Sequence, residues 1–345
     1  MKKTANKAFK SDSQRLAVSL RSSIAKRCSH LNAALEATKS FEYMRYFLKQ
    51  MILGPTIAIP IDLEEFTQLK LSKSVLYSAK AIEETYDLLV QNYLEFEQEI
   101  LSILSRQMIV VEDGYDDSYE IQSRLNRRVV NLLTSTKLYY DHIEKHVRTC
   151  MGEDDSEGRR AKSFFSLEYD THAEYRFMEA LRNYVQHYGL AVHSMSLNSN
   201  WEGEGDHRQL VNKLRLYTLK NELALDKTFK KQTFNELYDK TDLMGAIRVY
   251  VGSLSNVHDK VRSQIKMNVG QARDNVSEAI CKYENENGGD ALGCYAYSVQ
   301  NNDPMEKPVE KYALMLDWDD VRLKLERRNR AMPKLSHWYV SGSCF

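Results

Sequence analysis

The chain has 345 residues, of which 43% are hydrophobic, and it contains only 14 glycines and 5 prolines. This composition is typical of a folded, helix-rich protein and excludes an intrinsically disordered chain. Lysine plus arginine and aspartate plus glutamate both total 48, so the formal net charge is zero. Global charge therefore supplies no attraction for nucleic acid, and any RNA site has to come from local clusters of basic residues.

Cysteine usage and hydropathy favour a reducing cytoplasm. The five cysteines are widely scattered and form no Cys-x-x-Cys pair, which argues against a disulfide framework and against a cysteine zinc site. The basic N-terminal segment has no apolar stretch behind it, and no run of 18 apolar residues occurs. The sequence therefore predicts no signal peptide and no membrane span, and we expect no cofactor and no metal.

The first predicted elements are a long helix and an extended segment. Apolar residues at helical spacing predict one helix over residues 13–52. The β-branched run over 56–62 contains Pro60, which favours an edge strand or an extended connector. Residues 1–69 are therefore predicted to form an N-terminal helix and connector.

Three antiparallel helices are predicted next, because apolar residues recur at three- and four-residue steps between short polar turns. They cover residues 72–108, 118–150 and 163–188. Residues 70–200 are thus predicted to form one helical bundle.

The C-terminal part, residues 205–345, is predicted to be a further helical region without an assigned role. Serine, asparagine and glycine predict a surface loop over 194–207. The elements predicted after it are helices over 208–229 and 231–286, a hairpin of 294–299 with 312–316, and a short helix over 317–330. The expected fold class is mainly α, with long antiparallel helices, a short edge strand or connector near 56–62 and a small β-hairpin near 294–316.

The third helix of the bundle carries an Arg-Asn-x-x-x-His run from Arg182 to His187. Asn183 and His187 are i and i+4 neighbours on a helix, while Arg182 lies about 140° around from His187. Gly189 is expected just past the helix end, so His187 falls in the last turn, where the helix dipole favours a protonated imidazole. The apolar stripe predicted to bury this helix consists of Met178, Leu181, Val185 and Tyr188.

These residue types suit metal-free cleavage of RNA. A guanidinium such as that of Arg182 stays charged and can hold a phosphate while stabilising charge in the transition state. The imidazole of His187 can give a proton to a leaving ribose oxygen, and Asn183 can orient it. If the RNA 2′-hydroxyl is the attacking group, neither a metal nor a protein nucleophile is required.

At Arg182, Asn183 and His187 the chain resembles the HEPN superfamily, helical domains that often occur as dimeric ribonucleases in toxin–antitoxin and anti-phage systems. The resemblance implies that two copies of the motif, from two subunits, form one composite site that cuts RNA and leaves a cyclic phosphate end. It implies an RNA substrate, a homodimer or higher homo-oligomer, and an antitoxin or regulatory protein as a further partner. Some members of the superfamily have lost activity and serve as scaffolds.

A structural reading of the same residues stays open. In it, Arg182 pairs with Glu179 one turn back, and His187 caps the last carbonyl groups of the helix. The protein would then be a non-catalytic helical scaffold or interaction protein.

Four further histidines and one tyrosine are second-tier candidates for the site. His172 and His193 flank the motif and could assist proton transfer, although isolated histidines are more often structural. His142 and His146 have the i, i+4 spacing of zinc proteases, but Glu144 is misplaced for that motif and no third ligand is evident, so a polar helix face is the default. Tyr188 could stack on an unpaired base, with core packing as the default.

Local basic clusters are the candidates for binding RNA. Arg127 and Arg128 lie on the second bundle helix, and Arg159, Arg160 and Lys162 lie just before the motif helix. Charge runs of this kind are usually solvated faces, which is the alternative reading.

Overall fold

We describe the protein from a computed structural model, which describes residues 44–52, 54, 56–110, 114–300, 307–338 and 340, with residue 206 described by its backbone alone. Most of these residues are helical, as predicted, and two small antiparallel sheets accompany the helices. Residues 13–43 of the predicted first helix lie outside the described residues. None of the helices in the described part has a stretch long and apolar enough to cross a membrane.

The described residues contain eight α-helices and two short 3-10 turns. The helices are α1 (Leu63–Ile109), α2 (Tyr115–Cys150), α3 (Asp155–Thr171), α4 (Ala173–His187), α5 (Lys220–Leu223), α6 (Lys231–Glu236), α7 (Leu243–Glu286) and α8 (Asp317–Arg328). The 3-10 turns are Gly205–His207 and Leu335–His337.

In the described part of the chain, seven strands form two sheets in which every pairing is antiparallel. The strands are β1 (Arg45–Gln50), β2 (Ala58–Ile61), β3 (Ser194–Glu202), β4 (Gln209–Leu219), β5 (Lys240–Asp242), β6 (Cys294–Val299) and β7 (Glu310–Ala313). The four-stranded sheet has the order β2-β1-β6-β7, and the three-stranded sheet has the order β3-β4-β5.

The chain divides into two compact units. The first holds the described residues of 44–70 and 275–315, and the second holds those of 71–274 and 316–340. The division predicted from the sequence, into 1–69, 70–200 and 205–345, stays a prediction.

The first unit is built on β1, where the prediction of helix over residues 45–52 is wrong. Phe47 and Leu48 are adjacent and both buried, so both faces of β1 are covered, and β1 pairs with β2 on one side and β6 on the other. A short run that is apolar on both faces fits a helix or a central strand equally well by its spacing alone. Long-range pairing with β6 decides for the strand.

The predicted edge strand is confirmed, and the predicted hairpin is present with its second strand at Glu310–Ala313 instead of 312–316. The segment at 56–62 contains the edge strand β2, with Pro60 opposite Phe47. The predicted hairpin is β6 with β7, although β6 also pairs with β1 and so lies inside the sheet. The hydroxyl of buried Tyr283 on α7 accepts from the Gln50 amide at 3.2 Å and donates to the Ile57 carbonyl at 3.1 Å.

In the second unit, α1, α2 and α7 follow the predicted apolar spacing. Buried residues recur on α2 at three- and four-residue steps, which is the pattern of a helix packed along one face. Gly158 of α3 lies so close to α2 that a Cβ there would be 2.9 Å from the Glu144 carbonyl oxygen. The predictions of helices over 72–108, 118–150 and 317–330 are confirmed, and the part of 231–286 from Leu243 onward is α7.

The helix predicted over residues 163–188 is two helices, α3 and α4. The break lies at His172, whose backbone is extended, with φ −116° and ψ 120°. The Arg176 side chain donates to the carbonyl oxygens of Tyr169 and Asp170, at 3.1 and 3.2 Å. Because these carbonyls have lost their helical partners, the guanidinium stabilises the break.

The loop predicted over 194–207 and the helix predicted over 208–229 are also wrong, because β3 and β4 form a hairpin there. In β4, Leu214, Leu216 and Thr218 are buried, whereas Lys213 before Leu214 and Arg215 after it are exposed. This alternation has the period of two that belongs to a strand with one buried face. The three-residue strand β5 pairs with the end of β4, so the prediction of a single helix over 231–286 is wrong at residues 237–242.

A buried charged cluster joins α1, α2 and α7 in the second unit. Glu83 of α1 accepts two hydrogen bonds from Arg262 of α7, at 2.7 and 2.5 Å. His258, stacked on Tyr86, places Nε2 3.3 Å from Glu83 and Nδ1 2.9 Å from the Tyr139 hydroxyl. A neutral imidazole with its proton on Nε2 satisfies both contacts.

Burial on its own would raise the pKa of Glu83, but the hydrogen bonds of Arg262 and His258 and the charge of Arg262 hold that pKa at about 2, against an ordinary value of 4.5. A carboxyl whose pKa is lowered by folding stabilises the protein fully above its unfolded value. That contribution is lost as the pH falls from about 4.5 towards 2.

We expect Glu83→Gln to lower the free energy of unfolding at pH 7 by about 3 kcal/mol, because Arg262 would lose its carboxylate partner. The difference from the wild type should shrink as the pH is lowered from 4.5 to 2.5. Urea unfolding at pH 7, 4.5 and 2.5 measures this difference in stability, with Glu120→Gln at an exposed position as the matched control. A difference independent of pH would contradict the assignment.

Candidate functional site

Helix α4 presents the motif along the margin of its buried face. Tyr175, Met178, Leu181 and Tyr184 are buried, whereas the Asn183 and His187 side chains are exposed. Met178 and Leu181 therefore belong to the apolar stripe, as predicted. Tyr188 does not, because it is 52% exposed, and Tyr184 takes the buried position instead.

The end of α4 explains why a glycine stands at position 189. The helix ends at His187, and the amides of Tyr188 and Gly189 both donate to the Tyr184 carbonyl oxygen, at 2.8 and 3.2 Å. A Cβ at Gly189 would be 2.7 Å from the Tyr184 hydroxyl oxygen. The glycine therefore lets the Tyr184 ring lie against the chain where it leaves the helix, and His187 does lie in the last turn.

Asn183 and His187 line one cavity of about 230 Å³. Its other walls come from Tyr169 of α3 and from the loop between α5 and α6. The lining residues are Tyr169, Glu179, Ala180, Asn183, Tyr184, His187, Asp226, Thr228, Phe229 and Lys230. The structure thus brings together two of the three motif residues, and it adds groups that sequence reasoning missed.

Lys230 is the cation of this cavity that sequence reasoning missed. Its ammonium contacts the Tyr169 hydroxyl and lies 4.5 Å from the centre of the Tyr169 ring. The preceding loop is shaped by Asp226, which accepts from the amide and the hydroxyl of Thr228 at 2.8 and 2.7 Å. An Asp-x-Thr sequence is a signal for such a turn, but only the fold shows that it lies beside a helix some 40 residues earlier.

Arg182 is largely buried, and its guanidinium contacts the cavity-lining residues Glu179 and Asn183 instead of the open cavity. Its Nη1 lies 3.0 Å from Glu179 Oε2, its Nη2 donates to Asn183 Oδ1 at 3.3 Å, and its side chain is 14% exposed. It is not among the residues that line the cavity in the described part of the chain. The structure therefore contains the Arg182–Glu179 pair of the structural reading.

Glu179 links this pair to α7. Its Oε1 accepts a hydrogen bond of 2.5 Å from the Tyr250 hydroxyl, which also lies 3.3 Å from Thr136 Oγ1 on α2. Burial, and after it the Glu179 carboxylate, raises the pKa of Tyr250 well above its ordinary value. Tyr250 therefore remains a protonated donor, and the guanidinium, carboxylate and phenol form a chain that fixes α4.

The flanking histidines have structural partners. His193 Nδ1 accepts from the Leu219 amide at 3.0 Å, and its Nε2 lies 3.5 Å from the Tyr184 hydroxyl. Burial lowers the pKa of His193, which favours the neutral ring that these two contacts need. His172 lies at the break between α3 and α4, with Nε2 3.6 Å from Glu168.

His142 and His146 face one another on α2, with ring centres 6.1 Å apart. Burial lowers the pKa of His146, and the neighbouring His142 and Lys145 lower it further. Within the described ranges, no group of three or more His, Cys, Asp or Glu side chains could hold a metal ion.

The predicted RNA-binding residues differ in how free they are. The ammonium of Lys162 donates to the Tyr140 carbonyl and lies over the Tyr140 ring, and Arg128 pairs with Glu95 and Glu99. Arg160 contacts Glu157 at 3.4 Å but is exposed, and Arg127 and Arg159 are also exposed. The exposed residues available to a phosphate are thus Arg127, Arg159 and Arg160.

Comparisons with known proteins place the chain in no family. No family model, no curated protein and no solved structure matches it. The resemblance to HEPN domains stays a prediction, made from residues 182–187 and their position at the end of a helix.

Thermal unfolding distinguishes the structural role of Arg182 from the exposed position of His187. We expect Arg182→Ala to lower stability by about 1–3 kcal/mol, because it leaves the Glu179 carboxylate and the Tyr250 phenol without their cation. His187→Ala should change stability by less than about 0.5 kcal/mol, since its side chain is exposed. Equal losses in the two variants would contradict the geometry.

Proposed function

We propose that the protein is a metal-independent endoribonuclease of HEPN type, acting in the cytoplasm as a toxin or anti-phage effector. The observation that carries the proposal is the polar cavity at the end of α4, where exposed His187 and Asn183 share walls with Lys230 and Tyr169. Such a cavity offers an imidazole, an amide, an ammonium and an aromatic ring to one bound nucleotide, beside the carboxylates of Glu179 and Asp226 in the same lining.

In the proposed reaction, the ribose 2′-hydroxyl loses its proton and its oxygen attacks the adjacent phosphorus. The bond from phosphorus to the 5′-oxygen of the next nucleotide breaks, and that oxygen receives a proton. The products are a 2′,3′-cyclic phosphate and a 5′-hydroxyl. His187 serves as general acid or base, because an imidazole exchanges protons near neutral pH.

Arg182 holds the scissile phosphate in this proposal, and its present partner defines what that requires. A phosphate has to replace Glu179 as the partner of the Arg182 guanidinium, or bind the guanidinium together with Glu179. Two copies of the chain, each contributing the motif, make the composite site that the resemblance implies. An antitoxin or regulatory protein is proposed as the partner that controls the activity.

Lys230 is proposed to bind a phosphate of the substrate next to His187. Its ammonium is exposed and is held over Tyr169 without a carboxylate in the contacts described. The same Tyr169 ring offers a face for an unpaired base, and base–aromatic stacking is tolerant of sequence. Cleavage would then favour single-stranded segments.

The second candidate function is a non-catalytic helical scaffold or interaction protein. It is favoured by the Arg182–Glu179–Tyr250 chain, which gives the motif arginine a structural role. In this case His187 is an exposed histidine without chemistry.

Cleavage of total RNA and tRNA in EDTA decides between these functions. We expect the wild type to leave 2′,3′-cyclic phosphate ends, and His187→Ala to cut at least 100-fold more slowly, as is typical when a general acid or base is removed. The matched control is His207→Ala, an exposed histidine in the turn before β4. Absence of cleavage by a folded wild type, or equal loss in both variants, would favour the scaffold.

The role of Lys230 has its own control in the same loop. We expect Lys230→Ala to raise KM about tenfold with a smaller change in kcat, because a phosphate contact contributes mainly to binding. Lys227→Ala removes another exposed lysine, one that does not line the cavity, and it should leave both constants within twofold. Steady-state cleavage of a labelled oligoribonucleotide gives both constants, and similar effects in the two variants would sink the assignment.

A further inference from the structure

Strand β3 is the edge of the three-stranded sheet. It pairs with β4 over nine residues, from Ser194 opposite Tyr217 to Glu202 opposite Gln209. No other strand of the described residues pairs with it, so its second edge presents backbone donors and acceptors. An edge of this length is a template for another strand.

The edge lacks the features that usually prevent such pairing. Lysines, prolines and bulges keep edge strands apart in natural proteins. The sequence Ser-Met-Ser-Leu-Asn-Ser-Asn-Trp-Glu contains neither lysine, arginine nor proline. Its one charge, Glu202, is at the end of the strand and contacts Lys213 of the same hairpin.

The β3–β4 hairpin is exposed at the end that carries its turn. All residues from Asn198 to Glu202 are exposed, and Trp201 and its cross-strand neighbour Leu210 are 60% and 45% exposed. A ribbon of two strands with uncovered apolar side chains is marginally stable in water. An exposed tryptophan beside an unpaired strand edge is typical of a surface that another chain covers.

We propose that β3 pairs antiparallel with β3 of a second copy of this chain, around a two-fold axis at Asn198. The nine residues are self-complementary in that register, in which Asn198 meets Asn198. The other opposed pairs, one residue from each copy, are Ser194 with Glu202, Met195 with Trp201, Ser196 with Asn200 and Leu197 with Ser199.

The chemistry of each face fits this register. Met195, Leu197 and Trp201 share the face that also carries buried Leu214 and Leu216 on β4. The thioether of Met195 then meets the Trp201 ring twice, once on each side of the axis, which is a favourable contact. On the other face serine, asparagine and glutamate oppose one another, and no pair joins two like charges.

Other registers lose these pairs. A shift by one residue would bring the apolar face of one copy opposite the polar face of the other. A two-fold axis at any other residue pairs fewer than nine residues and separates Met195 from Trp201. An isologous interface of this kind is the commonest form of homodimer.

The inference does not rest on RNA cleavage. It locates a contact between two copies from β3 alone, and the measurement below reads assembly. A ribonuclease that dimerises through another surface would overturn the inference and leave the proposed function in place.

Sedimentation equilibrium of the full chain tests the register with a charge at the axis. Asn198→Asp places two carboxylates opposite each other in the dimer, while within its own hairpin the new carboxylate lies opposite Lys213. We expect it to raise the dimer dissociation constant about fivefold or more. The matched control is Asn200→Asp, the same change on the same face, where the opposite residue is Ser196, and it should change the constant less than twofold.

Mixing complementary variants gives the decisive result. Asn198→Asp and Asn198→Lys should each dimerise more weakly than the wild type, and an equimolar mixture should form the heterodimer in preference to either homodimer. Thermal unfolding checks that each variant is folded. A monomeric wild type at micromolar concentration, equal effects of the two aspartates, or a mixture without heterodimer would overturn the proposal.

Discussion

The buried Glu83 carboxylate is the interaction on which the second unit depends. It binds Arg262 through both oxygens and meets His258, so one residue of α1 fixes two positions on α7. His258 Nδ1 in turn accepts a hydrogen bond from the Tyr139 hydroxyl of α2. A charge placed among aromatic rings is costly unless it is fully paired, so this cluster favours the alignment of the three helices in which all of its contacts form.

The same helix α7 also sets the position of the candidate site. Two turns before His258, it carries Tyr250, whose hydroxyl binds Glu179 and through it Arg182. Arg182, which the sequence motif predicts to be catalytic, thus contributes to a structural hydrogen-bond and ion-pair network, whereas Asn183 and His187 line a cavity. In the proposed reaction, a phosphate would have to compete with Glu179 for the Arg182 guanidinium.

Sequence periodicity predicted the long helices α1, α2 and α7 and the short helix α8, because apolar spacing along a helix is set by local geometry. It failed where tertiary contacts decide. Residues 45–50 are a strand because β6 pairs with them, and His172 interrupts a helical pattern because Arg176 binds the freed carbonyls. In β4 the alternation around Leu214 has the period of a strand, but the same apolar residues also fit a helical spacing. Pairing with β3 decides for the strand.

The site was predictable in part for the same reason. His187 and Asn183 were found because they are neighbours on one helix. Lys230 and Tyr169 could not be found in this way, because they reach the cavity from other elements. No local sequence pattern indicates that they lie close to α4 in the fold. The direction in which Arg182 points also depends on Glu179 and Tyr250, and the second of these is almost 70 residues away in the chain.

Binding of an uncleavable RNA at the end of α4 tests the central claim most directly. A 2′-O-methyl oligoribonucleotide lacks the attacking hydroxyl, so it can be titrated into the protein, in EDTA, while the imidazole resonances are followed by NMR. The account predicts that the His187 resonances, assigned from their loss in His187→Ala, shift with saturation while those of His207 do not. Binding that leaves His187 unmoved, or that shifts both histidines alike, would contradict a substrate site in this cavity.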